Sequence, residues 1–416
     1  MHAERLDDDL DGVTAALSLA SRPGLAWLDG DPAHADGRWS FVGSNPVAIR
    51  TSLLRWGLSP TQQRPSGLPR VPEWIGYVGY DGGVWLGRYE AVVGIDHGRG
   101  EAWVLGDDAA ACARLVGRLG RGPRIVAGGV TTRVRASARE DHGRAIEAAL
   151  EHIARGDIYQ VNLARRWMAG WEGDPLALFL AMREASPVPL GFYVGAGDHA
   201  VLALTMETFL DWEGLGGRLA TRPIKGTIAR GADAIADARA LRADPKEHAE
   251  HAMIVDLMRN DLGRVAATGS VKVERLMEVE PYAGLSHLVS TVACTTREGV
   301  TLDDVLAATF PPGSVTGAPK VRAMEIIDAL EPHPRRVYCG AVGMIDRAGG
   351  ARFAVAIRTA QVRAGTVTYH AGGGLVAASV VEREIAETEL KARVFLDAVA
   401  SLRTPPRSAD ITARAR

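Results

Sequence analysis

Short apolar runs set off by glycine, proline and aspartate constrain this chain more than any other feature. Residues 25–28 (Leu-Ala-Trp-Leu), 74–80 (Trp-Ile-Gly-Tyr-Val-Gly-Tyr) and 102–105 (Ala-Trp-Val-Leu) have this form. They read as strands separated by turns. Residues 192–194 and 201–204 read as a strand pair, and 109–119 reads as a helix. Strand pairs mixed with helices over 416 residues mean one large or two medium α/β domains. The stretch 120–132 (Gly-Arg-Gly-Pro onward) is the place for a junction. It divides an N-terminal region, 1–130, from a second region, 131–402. The tail 403–416 carries two prolines and little apolar matter, and is expected to be disordered.

Composition excludes several classes. Hydrophobic residues make up 47% and charged residues 24%, with a net charge of −2. That balance is globular and offers no electrostatic footprint for nucleic acid. No run of about 18 apolar residues occurs, so no membrane span is expected. The N-terminus has no apolar signal core, which makes the cytoplasm the expected compartment. Cys112, Cys294 and Cys339 are far apart, without metal-ligand spacing, and fit packing in a reducing compartment.

Within the second region, Ser137-Ala-Arg-Glu140 has the pattern of a capping box, and Gly156 closes the helix that follows. Residues 158–163 read as a strand. Asp174-Pro175 opens a further helix, with Asp as cap. The last helix spans about 382–402.

A few residues in this region have the chemistry for a site. Lys225 lies in Thr-Arg-Pro-Ile-Lys-Gly-Thr (221–227), at the expected end of a strand. An amine with apolar flanks can act as a nucleophile or base. On these residues alone, a lysine on a turn in water is the commoner case. Glu250 shares a helix face with Met253, Ile254 and Leu257, and a carboxylate aimed along a buried face needs a cation or a metal. Glu384, Glu387 and Lys391 fall on one side of the last helix at steps of three and four. They form either a solvated face with a Glu387–Lys391 pair or, with Glu250, an all-oxygen site suited to Mg²⁺. The loop 310–320 precedes a helix and can present a hydroxyl such as Ser314. Gly372, Gly373 and Gly374 follow a strand, as a flexible turn or a place where backbone N–H groups meet a ligand. Arg358 lies in an apolar strand and needs an anionic partner.

Seven collinear blocks resemble the chorismate-utilising enzymes, a family of anthranilate, aminodeoxychorismate, isochorismate and salicylate synthases. They are 156–163 (Gly-Asp-Ile-Tyr-Gln-Val-Asn-Leu), 223–227 (Pro-Ile-Lys-Gly-Thr), 249–264, 313–320 (Gly-Ser-Val-Thr-Gly-Ala-Pro-Lys), 338–340 (Tyr-Cys-Gly), 356–359 (Ala-Ile-Arg-Thr) and the Glu-rich last helix. The resemblance implies an anthranilate synthase component I-like α/β fold, with two face-to-face antiparallel β-sheets, outer helices and the site between. It implies Mg²⁺ on Glu250, Glu387 and Glu384. It implies chorismate bound by Tyr338, Arg358, Lys391, Ser314 and the backbone of Gly372, Gly373 and Gly374. Glu207 matches the family's acid/base carboxylate, although Thr205-Met206 stands before it where Ser-Pro is usual. His287 and Thr227 match residues near the reacting ring.

Two positions bear on which reaction is run. Members that add water carry a lysine base where this chain has Gln160. Anthranilate synthases usually have alanine where this chain has Lys225. The first argues against isochorismate or salicylate synthesis, and the second resembles the aminodeoxychorismate synthases, which implies Lys225 as the nucleophile. Anthranilate synthesis and a non-catalytic chorismate-binding subunit are the alternatives. No glutaminase is expected within the chain, so ammonia is expected from a separate glutamine amidotransferase subunit.

Overall fold

A computed structural model of the chain describes residues 1–402 except 8, 21, 32, 35–36, 53–68, 121–123, 230–233 and 283–284. The tail 403–416 and part of the 120–132 junction lie outside the described residues.

The chain threads alternately through two antiparallel sheets, of thirteen and ten strands. β1 (His2–Arg5), β2 (Ala26–Gly30) and β3 (Trp39–Gly43) lie in the larger sheet. β4 (Ala48–Arg50), β5 (Pro72–Val78) and β6 (Val84–Arg88) lie in the smaller. The larger sheet resumes with β7 (Ala91–Asp96), β8 (Glu101–Gly106), β9 (Gly128–Val130), β10 (Arg135–Ala136), β11 (Gln160–Gly173), β12 (Leu190–Gly195) and β13 (His199–Thr205). The smaller resumes with β14 (Thr208–Trp212), β15 (Arg218–Arg222), β16 (Ile224–Ala229), β17 (Lys272–Tyr282) and β18 (Leu285–Thr295). β19 (Gly317–Ala318) returns to the larger sheet, and β20 (Ala341–Asp346) and β21 (Ala351–Val355) to the smaller. β22 (Thr359–Arg363) and β23 (Thr366–Leu375) complete the larger. The last strands sit centrally: β22 and β23 join β13 to β11, while β21 and β20 join β14 to β5.

Nine helices are described: α1 (Gly12–Leu19), α2 (Ala109–Leu119), α3 (Arg139–Ala154), α4 (Pro175–Ala185), α5 (Ala234–Ala243), α6 (Pro245–Gly263), α7 (Leu302–Thr309), α8 (Lys320–Leu330) and α9 (Val381–Ser401). None is long and apolar enough to cross a membrane.

The expected face-to-face architecture follows from strand alternation. Phe192 and Val201 of the larger sheet pack between the sheets against Ile75, Tyr77 and Val342 of the smaller. Their chain neighbours Tyr193 and Leu202 point outward, to Phe179 of α4 and Phe395 of α9. On the outside of the smaller sheet, Leu219 and Val292 pack with Ile254 and Met258 of α6. Burying apolar side chains on both faces contributes about 25 cal/mol per Å² removed from water. The three cysteines are buried and unbridged.

Local signals held where nothing competed for them. α2 begins after Asp108, whose carboxylate accepts from Ala111 N at 2.7 Å. Asp174 caps α4 by accepting from Leu176 N at 2.9 Å, with Pro175 in the first turn. The capping box at Ser137 does not form. Ser137 N donates to Arg166 O at 2.8 Å, so the residue belongs to the sheet edge and α3 starts without a side-chain cap. The strand expected at 158–163 is β11, which runs on to Gly173.

Candidate active site

Two chain segments cross between the sheets side by side. Met206 and Glu207 link β13 to β14, and residues 356–358 link β21 to β22. Val355 N donates to Glu207 O at 2.9 Å, and Leu204 N to Arg358 O at 3.3 Å, so the crossings are tied together. Arg358 therefore does not lie within a strand, as its apolar neighbours implied. It turns the chain from one sheet to the other at φ +48°, a left-handed conformation costly for a non-glycine residue. Its guanidinium is largely buried and approaches Ser186 Oγ at 3.4 Å. Burial lowers its pKa, which the nearby Tyr369 partly offsets.

Lys225 is also placed differently from expectation. Pro223 separates β15 from β16, and Lys225 is the second residue of β16 rather than the end of a strand. The register with β18 slips between Lys225 and Thr227, around Gly226 at φ +76°. A bulge of this kind re-aims a side chain. Lys225 Nζ meets Glu250 Oε2 at 2.6 Å, so the cation that Glu250 required on α6 is this lysine. A Cβ on Gly374 would stand 2.8 Å from Gln160 Nε2 and 3.1 Å from Lys225 Nζ. Only glycine leaves that space.

The three glycines form no turn. They continue β23, paired to Asn162, Leu163 and Ala164 of β11. The pairing of β22 with β23 ends at Tyr369. From there, among the described residues, the glycine segment pairs with β11 alone. A Cβ on Gly373 would lie 3.2 Å from Glu384 Oε2 and 3.5 Å from Glu387 Oε1. The two α9 carboxylates thus converge over bare backbone. Lys391 Nζ donates to Gly372 O at 2.9 Å and pairs with Glu387 at 2.6 Å.

Glu207 is buried. Burial pushes its carboxyl up to about 7, against the pull of the Ser314 hydroxyl, the Lys225 ammonium and the Ile224 N–H. Ser314 Oγ is buried and makes no hydrogen bond among the described residues, so it acts on Glu207 by proximity alone. Near neutrality Glu207 can hold a proton and give it up. His287 lies across the bulge with Nδ1 3.1 Å from Gly226 O, and burial pushes its pKa down to about 4. The Thr227 side chain lies outside the described residues. Tyr338 is packed between Arg335 and His370, stacking on the latter at 5.4 Å between ring centroids.

Glu250, Glu384 and Glu387 are hard oxygen donors of the type Mg²⁺ takes. Among the described residues no three such groups gather closely enough to hold an ion, and Glu250 and Glu387 are each engaged by a lysine. Gln160 is a site residue that sequence reasoning noticed only for not being lysine. Its alternation with Asn162 along β11 was the available signal. Lys320, in the glycine-rich loop, is structural: it bonds Asp261 at 2.6 Å and Thr309 O at 2.7 Å, and so holds the loop that carries Ser314.

A profile of the family described as chorismate binding enzyme matches residues 55–397. Aminodeoxychorismate synthase component 1 of Escherichia coli is 44% identical over 253 residues, 60% of this chain and 55% of the relative. Anthranilate synthase component 1 of Aquifex aeolicus is 44% identical over 264 residues, 63% of this chain and 53% of the relative. The chain spans about half the length of these two relatives. Anthranilate synthase component 1 of Streptomyces coelicolor is 36% identical over 455 residues, covering 96% of this chain and 88% of the relative. Among solved structures, anthranilate synthase component I from Streptococcus pneumoniae superposes with a TM-score of 0.74 at 29% identity, covering 86% of this chain and 92% of that one. A menaquinone-specific isochorismate synthase of Escherichia coli gives 0.78 at 21% identity, covering 96% and 94%, a likeness of fold alone. A match over most of the length, on a fold shared with these relatives, means that the chain belongs to the chorismate binding enzyme family.

Proposed function

We propose that the chain is the synthase component of an aminodeoxychorismate synthase. It would convert chorismate and ammonia to 4-amino-4-deoxychorismate, with ammonia supplied by a glutamine amidotransferase subunit. The observation that carries this reading is the position of Lys225, on a bulge beside Gly374 and within the field of Glu207. Lys225 is held in place by its pair with Glu250, and only its free amine is a nucleophile. The amine attacks ring carbon C2. Both ring double bonds shift, C1=C2 to C1=C6 and C5=C6 to C4=C5, and the C4 hydroxyl departs as water with a proton from Glu207. Ammonia then attacks C4, both double bonds shift back, and the lysine is released from C2. One difficult displacement is thereby split into two easier ones.

Arg358 is suited to a substrate carboxylate, because a buried guanidinium gains most from a bidentate anion. Lys391 and the glycine backbone would hold the other carboxylate. Glu250, Glu384 and Glu387 would hold Mg²⁺, which when bound would offset their charge and receive a carboxylate of chorismate.

Anthranilate synthesis is the second reading, favoured by the anthranilate synthases among the relatives. Incubation with chorismate, Mg²⁺ and ammonium, followed by product mass, separates the two. 4-Amino-4-deoxychorismate retains the enolpyruvyl group, and fluorescent anthranilate does not. Anthranilate as the sole product would sink the first reading.

A further inference from the structure

One buried histidine takes no part in the reaction drawn above. His251 follows Glu250 on α6, which packs against β16 and β18, and its side chain is fully buried. The ring stands between two irregularities in the neighbours of β18. On one side β17 slips against β18 between Arg275 and Glu278, and Met277 there has φ +51°. On the other, β16 slips between Lys225 and Thr227, with Gly226 as the extra residue. Bulges take backbone groups off the ladder, and buried ones must find partners among side chains.

Ser290 of β18, also fully buried, serves the first bulge. Its Oγ accepts from Met277 N at 2.9 Å and lies 2.6 Å from His251 Nε2. Its backbone N–H donates to Pro223 O at 3.2 Å, at the entry to β16. The second bulge has a histidine on each of its two carbonyls. Gly226 O lies 3.1 Å from His287 Nδ1, and the Lys225 carbonyl acts on the His251 ring.

This network assigns the hydrogens on His251. Burial pushes the ring down to about 4, so near neutrality it is uncharged and has one N–H to give. With Met277 N–H already on the Ser290 oxygen, the hydroxyl proton goes to Nε2, and the ring proton sits on Nδ1. Nδ1 makes no hydrogen bond among the described residues. The acceptor it faces is the Lys225 carbonyl, whose pull opposes the effect of burial. The other tautomer would set a bare nitrogen against that carbonyl and leave the hydroxyl proton without an acceptor.

We propose that His251 is a positioning residue for Lys225. The dipeptide Glu250-His251 holds the lysine at both ends, the carboxylate on Nζ at 2.6 Å and the ring N–H toward the main-chain carbonyl. Fixing the carbonyl fixes the Cα from which the side chain starts, and with it where the amine stands in the site. Ser290 sets the tautomer. The proposal rests on Lys225 being the nucleophile of the reaction proposed above.

The test uses the whole chain and separates the two ring nitrogens. In His251→Asn an amide N–H stands near the place of Nδ1. In His251→Gln the amide oxygen can still accept from Ser290, but the donor toward Lys225 is lost. His251→Gln should lower kcat by about tenfold or more at near-native KM for chorismate, and His251→Asn by no more than about threefold. Without ammonia, the rate of chorismate adduct formation on Lys225, read as added mass on that peptide, should fall by the same factors. A purely structural histidine would lower Tm in both variants and leave the adduct rate native, which would overturn the proposal. An Asn variant no better than Gln would overturn it too. So would a loss that excess Mg²⁺ restores, since His251 would then act through Glu250. If neither amide variant folds, Ser290→Ala decides: its adduct rate should fall by about threefold or more, and a native rate would overturn the proposal. If the native chain gave neither adduct nor aminated product, the proposed reaction would fail, and this role of His251 with it.

Discussion

Two lysine–glutamate pairs of equal length meet the same strand and differ in almost everything else. Lys225–Glu250 and Lys391–Glu387 both close at 2.6 Å. In the first the side chains are 23% and 8% exposed; in the second, 44% and 45%. The α9 pair is one turn apart in sequence and in water, a geometry worth about 0.3 kcal/mol. The other pair joins a strand bulge to α6 and has lost most of its water. Its desolvation offsets much of its attraction, and losing one partner would strand the other. A pair that adds little stability for its burial, on a bulge that the sheet must accommodate, is placed for chemistry rather than for the fold.

The largest effect expected is at Lys225. Lys225→Ala should lower kcat for aminated product by about a thousandfold or more, with little change in KM for chorismate. Lys391→Ala should act mainly on chorismate KM, by about tenfold. Steady-state assays by product mass compare them directly, and equal kcat losses would erase the distinction between the pairs. Next are the partner carboxylates. Glu250→Gln should cut Mg²⁺-supported kcat by about a hundredfold and Glu387→Gln by about tenfold, both shifting the Mg²⁺ titration upward. A Glu387→Gln variant with a native Mg²⁺ titration would take that residue out of the metal site.

A smaller effect is set by pH. Burial pushes Glu207 up to about 7 against the field of Lys225, so the proton donor is present below that pH. kcat should fall as pH rises through about 7, and Glu207→Gln should remove that limb from what activity remains. Stability has the same sign. The fold prefers the protonated carboxyl, so this contribution is full below the unfolded carboxyl pKa and is lost as pH rises through about 7. Melting curves at acid and alkaline pH would show a larger drop for the native chain than for Glu207→Gln. The smallest effect concerns α9. A double-mutant cycle on Glu387 and Lys391 should give about 0.3 kcal/mol at low salt and almost none at about 1 M salt. A coupling several times larger would make the exposed pair resemble the buried one.

What could be read from the sequence was mostly local. The bounds of α2 and the Asp174 cap depend on residues a few positions apart, and both hold. The requirement that Glu250 find a cation was legible from the apolar face around it. That the cation is Lys225 was not, because it is set by a bulge against β18. Gly372, Gly373 and Gly374 left two readings open, a flexible turn or a place where backbone meets a ligand, and the turn is the one the strand pairing rules out. Their reason is tertiary: a Cβ at Gly372 would lie 2.5 Å from Leu163 O, and Gln160, Lys225, Glu384 and Glu387 crowd the next two positions. Arg358 looked like a strand residue because its neighbours are apolar, yet those neighbours are buried at a change of sheet. Ser137 had a helix-capping pattern and was taken by the edge of β11 instead. The misplacements of Lys225 and Arg358 both fall where the chain bends within or between the sheets. The blocks quoted for the family resemblance cover those same residues.

The crossing at Arg358 has a consequence for how the molecule is made. It separates two hairpins, β20–β21 and β22–β23, and each is the central seam of its sheet. Until β20 and β21 exist, β5 and β6 have no link to β14 and β15. Until β22 and β23 exist, β13 has no link to β11. A chain emerging from the ribosome therefore holds two half-sheets of each kind, with raw edges, until about residue 375 has been synthesised. Such edges invite pairing with other chains. Folding should be late, cooperative and slow, since pairs such as Val78 with Ala341 close very long loops. A stalled or truncated chain lacking the last strands would be an aggregation hazard rather than a smaller enzyme.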